Sequence, residues 1–126
     1  MAVEVDKRMK DSGVRAFGVH PGGIMTPLQR HLEQEEMVAL GWMDKDGQPT
    51  ERVAKMFKSA TQGASTTLWA ATSPQLDGIG GVYCENCEVA APTDDGENAR
   101  FIGVNDWAVD SDEASRLWDE TEHMLS

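Results

Sequence analysis

Val14-Arg-Ala-Phe-Gly-Val-His-Pro-Gly-Gly-Ile-Met-Thr-Pro27 is the stretch on which the reading of this chain turns. Residues 14–20 are apolar and partly β-branched, and Pro21, Gly22 and Gly23 end them abruptly. This is the pattern of a strand buried on both faces, as in a parallel sheet, running straight into a Pro-Gly-x-x-x-Thr turn. In open α/β sheets, ligands sit outside the carboxyl ends of the strands. Glycines there let the backbone approach a ligand closely, Thr26 offers a hydroxyl, and the segment that follows can supply N–H groups. An ordinary strand-to-helix loop is the competing reading of Pro-Gly-Gly taken alone.

Working outward, residues 1–10 form a short amphipathic helix stopped by Asp11-Ser12-Gly13, with Gly13 suited to the left-handed position after a helix. Beyond the loop, apolar or small residues recur at Val53, Met56, Phe57, Ala60, Ala64, Thr67, Leu68 and Ala71, which predicts one long helix over residues 50–72. Gly63 with Ala60, Ala64 and Ser65 permits close packing against a sheet. Residues 80–89, Gly-Gly-Val-Tyr-Cys-Glu-Asn-Cys-Glu-Val, read as a second strand. Only two strands are convincing, and two parallel strands need further strands beside them and helices on both faces. Asp110 with Glu113 predicts a capping box, opening a helix over residues 110–125 whose Ala114, Leu117, Trp118, Thr121, Met124 and Leu125 form the packed face.

Composition sets boundaries. A chain of 126 residues is one ordinary domain in length, whereas a doubly wound nucleotide-binding enzyme needs about twice as many. The net charge of −11, from 22 acidic and 11 basic residues, argues against nucleic acid and against anionic lipid as partners. The acids cluster at residues 33–36, 94–97 and 110–122 and read as solvated faces. No apolar run has the length of a membrane span, and acids occupy the place of a signal peptide's apolar region, so a cytoplasmic location is expected.

Cys84 and Cys87 form a Cys-x-x-Cys, which raises zinc or thiol-redox chemistry. On a continuous strand, residues three apart point to opposite faces, so the sulfurs could meet only through a bulge or turn at Glu85-Asn86. Structural zinc wants four ligands, and His20, His31 and His123 offer no matching spacing. Two packed, reduced thiols are the preferred reading, and no metal ligand is assigned. His20 has no identifiable carboxylate or nucleophile to give it acid–base work and is read as a structural histidine; His31 is read as an exposed helix residue.

The order of these segments resembles the C-terminal half of the short-chain dehydrogenase/reductase family, in particular its retinol-dehydrogenase-like and WW-domain-oxidoreductase-like branch. Ala2-Val-Glu-Val-Asp-Lys-Arg8 resembles the end of the family's active-site helix, residues 14–26 its sixth strand and cofactor loop, residues 50–72 its last major helix and residues 80–89 its seventh strand. The family's Gly-rich fingerprint and its Tyr-x-x-x-Lys pair have no counterpart here. Tyr83 is the only tyrosine, the residue four places on is Cys87, and Gly78-Ile-Gly-Gly81 precedes a strand where a fingerprint must follow one.

The resemblance implies an α/β fold that is the C-terminal portion of a Rossmann-like doubly wound parallel sheet, incomplete in this chain. Residues 1–126 then form the C-terminal half of a dehydrogenase domain, with residues 27–49 as the substrate lid. It further implies hydride exchange between NAD or NADP and a lipophilic alcohol or carbonyl compound in the complete enzyme. No cofactor is expected on the isolated chain, no residue of it is assigned as catalytic, and self-association is expected. Pro21 and Gly22 are expected to shape the cofactor loop, the Ile24 backbone to meet the nicotinamide carboxamide, and the Thr26 hydroxyl to lie near the amide or phosphates. In the lid, Leu28, Met37, Trp42 and Met43 are expected to touch substrate, although an apolar stripe of this spacing also suits a buried helix face. The competing classes are a small acidic interaction protein without catalysis and a thiol protein using Cys84 and Cys87.

Overall fold

The computed structural model describes residues 1–93 and 102–126, so the acids at residues 94–97 lie outside the described residues. The chain divides into two units, Met1–His20 with Thr66–Ser126, and Pro21–Ser65. Its class is α/β, with a small mixed sheet.

In the first unit, β1 (Phe17–His20) runs parallel to β2 (Val82–Glu85), pairing Phe17 with Val82 and His20 with Glu85. β3 (Glu88–Val89) turns back antiparallel on β2. The single strand expected over residues 80–89 is therefore a hairpin. Asn86 and Cys87 take φ of 50° and 60°, the two successive positive values that a tight hairpin turn of matching twist requires. Asn-Cys in place of Asn-Gly weakens that signal in the sequence. The sheet order β1-β2-β3 leaves β1 at an edge among the described residues. It is half-buried with His20 exposed, not buried on both faces, and residues 14–16 stand outside it.

α1 (Ala2–Met9) continues into a short 3-10 turn, and Gly13 closes it at φ 78° as expected. Its buried side chains are both acidic, Glu4 and Asp6. Arg15 forks onto Asp6 through Nε and a terminal nitrogen at 2.8 and 2.9 Å, and the Ala16 N–H donates to the same carboxylate at 3.1 Å. This bidentate geometry fastens α1 to the chain entering β1. The Arg8 guanidinium donates to Glu4 at 2.6 Å and lies 4.7 Å from the centre of the Trp118 ring, a cation–π contact between α1 and α6 (Ser111–Leu125).

The Arg15 hydrogen bond holds Asp6 below the usual carboxylate range, and Arg8 does the same for Glu4. A carboxylate depressed on folding adds stability that is fully present above its unfolded value, about 4, and is lost as pH falls through the lower folded value. Thermal melts followed by circular dichroism should therefore show a midpoint that declines below about pH 4. Asp6→Asn should lower the neutral-pH midpoint and flatten that decline. An unchanged acid slope in the variant would remove Asp6 from this role.

The Asp110 side chain caps α6 by accepting from the Asp112 and Glu113 N–H groups. The expected capping box is half-made, because the Glu113 carboxylate turns to Arg116 at 2.8 Å. Ala114 is buried and Trp118 and Thr121 half-buried, as the periodicity predicts, but Leu117, Met124 and Leu125 are exposed. A further short helix, α5 (Asp106–Val109), precedes α6.

The long helix expected over residues 50–72 is two. α3 (Glu51–Met56) ends where Phe57 turns extended, at φ −80° and ψ 140°, and α4 (Ala60–Thr72) starts afresh. Ser59 and Gln62 cap the second helix reciprocally, Ser59 N–H to Gln62 Oε1 at 2.8 Å and Gln62 N–H to Ser59 Oγ at 3.2 Å. This Ser-x-x-Gln is the sequence signal that marks the break. The expected face is also rotated: Gly63, Thr66 and Ala70 are buried, whereas Ala60, Ala64, Thr67, Leu68 and Ala71 are exposed. In a helix of small residues the apolar pattern is nearly flat, and the side that permits close approach goes inside. A Cβ on Gly63 would lie 2.7 Å from Ile24 Cδ1. The Thr66 hydroxyl accepts the Cys87 N–H at 3.3 Å.

Candidate functional site

The loop that leaves β1 is held by three devices inside the second unit. The first is glycine. Gly22 has φ 94°, a left-handed conformation that disfavours any side chain, and the Lys58 side chain lies against it. A Cβ on Gly23 would come within 3.0 Å of the Phe57 ring. The second is a parallel bridge between Ile24 and Lys58, in which the Lys58 N–H donates to the Gly23 carbonyl at 2.8 Å. The break between α3 and α4 thus frees an extended segment to pair with the loop. In such a bridge the N–H and C=O of Ile24 itself point away from Lys58.

The third device is Gln29, a residue that sequence reasoning missed. Its Oε1 accepts the Thr26 N–H at 2.7 Å and lies 3.0 Å from the Thr26 hydroxyl, which donates to it. Its Nε2 donates to the Ile24 carbonyl at 3.1 Å. The Thr26 hydroxyl also accepts from the Leu28 N–H at 3.2 Å, so that Thr26 caps a 3-10 turn over Pro27–His31. Thr26 therefore has its hydroxyl closed on its own turn, and the N–H groups expected to be available there are engaged. Thr26-Pro27-Leu28-Gln29 is a Thr-x-x-Gln capping box with proline at the first helical position, a signal readable in the sequence.

The four residues expected to line a lid separate. After the 3-10 turn come α2 (Gln34–Ala39), a turn at Gly41 with φ 70°, and an antiparallel bridge between Met43 and Pro49. Asp44 closes the turn inside that bridge by accepting the Asp46 and Gln48 N–H groups. Trp42 packs edge-on against Phe57, ring centres 5.7 Å apart, and Phe57 in turn faces Gly23. A contact chain from Trp42 through Phe57 to Gly23 therefore joins residues 27–49 to the loop. Met37 and Met43 are half-buried, while the Leu28 side chain is turned to solvent, the residue 75 % exposed. A cleft of about 330 Å³ in the same unit is lined by Gln34, Glu35, Val38 and Lys45, a largely polar set.

At the end of the sheet, the strand register gives His20 the acidic neighbour that sequence reasoning did not find: Nδ1 lies 4.0 Å from Glu85 Oε2. That is an ion-pair distance once His20 is protonated, too long for a hydrogen bond. The buried Glu85 also accepts the Gly103 N–H at 2.7 Å. Tyr83 stacks on His20 with ring centres 6.5 Å apart, on the side where Gly18 leaves room for it. Burial pushes the Tyr83 phenol up and the Glu85 charge adds to the effect. A tyrosine that exchanges a proton with substrate near neutrality needs the opposite shift. Burial likewise pushes the Cys84 thiol up, which disfavours the thiolate that metal binding or redox exchange requires. His31 is exposed in its 3-10 turn, as expected.

No family model matches the chain, and no solved structure does. Curated proteins do. Over all 126 residues the chain is 36 % identical to short-chain dehydrogenase/reductase prx1 of Penicillium roqueforti, of which the match covers 35 %. The chain belongs to the short-chain dehydrogenase/reductase family. A probable oxidoreductase of Streptomyces lividans is 37 % identical over 120 residues, 95 % of the chain and 39 % of the relative. Retinol dehydrogenase 12 of Mus musculus is 27 % identical over 122 residues, 97 % of the chain and 31 % of the relative. The chain thus spans about a third of the length of these relatives and matches their C-terminal portion. Among the described residues, no helix is long and apolar enough to cross a membrane.

Proposed function

We propose that this chain forms the nicotinamide-side wall of an NAD(P)-dependent oxidoreductase acting on a lipophilic alcohol or carbonyl compound, as the C-terminal part of a Rossmann-like sheet. The observation that carries the reading is the glycine loop leaving β1 at its carboxyl end, with Gly22 left-handed and Ile24 braced from both sides by Lys58 and Gln29. This is the place and backbone form in which α/β sheets receive a nucleotide.

The residues fit one end of such a cofactor. Pro21 and Gly22 set the path of the loop, Ile24 presents its backbone to the carboxamide, and Thr26 reaches the amide or a phosphate by giving up its bond to Gln29. The nicotinamide supplies hydride acceptance or donation when bound. Phe57 behind Gly23, with Trp42 edge-on to it, excludes water from the back of the loop. Met37, Trp42 and Met43 offer apolar surface to the substrate, whereas Leu28, turned to solvent, reaches it only if the lid rearranges.

The pyrophosphate end has no counterpart, because the sequence contains no Gly-x-Gly-x-x-Gly fingerprint. Titration calorimetry of the chain with NAD and with NADP should therefore give dissociation constants weaker than micromolar, that is, a binding free energy short of about −8 kcal/mol. Fused behind the N-terminal segment of a relative, the same residues should bring binding into the micromolar range. Micromolar binding by the chain alone, or none by the fusion, would contradict the assignment.

A further inference from the structure

We propose that Lys58 is a binding residue of the cofactor loop, its ammonium taking the nicotinamide-side phosphate of the dinucleotide. The inference rests on the reading of residues 21–26 as the cofactor loop and adds a charged contact to the uncharged ones that the loop backbone and the Thr26 hydroxyl offer.

Three observations place the charge. The Lys58 backbone is locked to the loop, through its N–H on the Gly23 carbonyl and the bridge to Ile24. Its side chain then runs across Gly22: Cδ, Cε and Nζ lie 2.9, 3.0 and 3.1 Å from where a Cβ on that residue would stand. The missing side chain at position 22 therefore serves two purposes, the left-handed backbone and the passage of a half-buried lysine chain. Finally, the chain carries a net charge of −11. A protein of that sign repels a dinucleotide phosphate at long range, so an anion reaching this loop needs a local cation. Lys58 stands at the loop by construction, held by backbone and not only by a flexible stem.

An ammonium recognises phosphate as a point charge with three donors and no preferred plane. The probes follow from this. The full chain, labelled with ¹⁵N, is titrated with nicotinamide mononucleotide, with nicotinamide riboside, which lacks the phosphate, and with inorganic phosphate, while the Gly22, Gly23 and Ile24 amide signals are followed. The mononucleotide is expected to move these signals at millimolar concentration, binding about ten-fold more tightly than the riboside. Lys58→Gln should bring the mononucleotide down to the riboside's affinity, and Lys58→Arg should recover most of the difference. Added salt should shrink the same difference in the unaltered chain, a readout that needs no variant to fold.

Equal binding of mononucleotide and riboside would overturn the role of Lys58 while leaving the cofactor loop standing. Inorganic phosphate binding as tightly as the mononucleotide would overturn the assignment to a cofactor phosphate. If neither nicotinamide compound moves the loop amides, the cofactor-loop reading falls and Lys58 with it.

Discussion

Incubated with NAD or NADP and a panel of lipophilic alcohols and aldehydes, the purified chain is expected to show no change in nicotinamide absorbance. The same residues fused behind a segment that carries a glycine fingerprint and a Tyr-x-x-x-Lys are expected to turn over. The reason is chemical inventory. Hydride transfer needs the nicotinamide held against the substrate carbon and a proton donor or acceptor of tuned pKa at the oxygen. Tyr83 is the only tyrosine; it sits on β2 against His20, with its phenol pushed up by burial and by Glu85. A positioned acid–base group alone contributes about 10²–10⁴-fold, so the fusion should exceed the isolated chain by at least about that factor. Turnover by the isolated chain that vanishes in Tyr83→Phe would overturn this account. Size-exclusion chromatography belongs beside the assay. Leu68, Trp107, Met124 and Leu125 are exposed to 63, 72, 80 and 83 %, and the edge of β1 is open among the described residues. Both favour self-association of the chain alone.

What the sequence revealed, and what it hid, follows from the range of the forces involved. The strand into Pro21-Gly22, the helix ended by Gly13, the parallel partner at residues 82–85 and the Asp110 cap are local signals, set by sterics or by one hydrogen bond, and the structure has them. The long helix failed for a reason outside any helical window: Lys58 gives its N–H to Gly23, some 35 residues earlier in the chain, and the helix breaks there. The burial of α4 failed because Gly63 and Thr66 go inside through close approach, which a count of apolar residues scores as nothing. In the loop, the stop at Pro21 and the left-handed Gly22 were legible because proline and glycine carry their geometry with them. Gln29, Phe57 and Lys58 were not, since each acts through a contact whose partner only the fold brings near, although Thr26-x-x-Gln29 and Ser59-x-x-Gln62 were open to reading as caps. The Glu85 partner of His20 needed only the correct register of two strands that had both been found.

Gly80→Ala is expected to be the most damaging single methyl in the first unit, lowering stability by about 3 kcal/mol and the thermal midpoint by roughly 10 °C. The position is not left-handed, so the cost is not one of backbone strain. The added Cβ would stand 1.9 Å from Asp6 Oδ1 and 2.5 Å from a terminal nitrogen of Arg15. That carboxylate cannot step aside cheaply, because Arg15 grips it at two points and the Ala16 N–H at a third. Moving it leaves a buried acid short of its partners, a far larger penalty than the methyl repays. Gly78→Ala is the contrast: its φ of 76° strains a side chain, but nothing lies within 4 Å, so about 1 kcal/mol is expected. The decisive measurement is a double-mutant cycle by denaturant unfolding. With Asp6→Ala already in place the carboxylate is gone, and Gly80→Ala should then cost less than a third of its value in the unaltered background. If the two losses simply add, Gly80 is needed for some reason other than room for the Asp6–Arg15 pair.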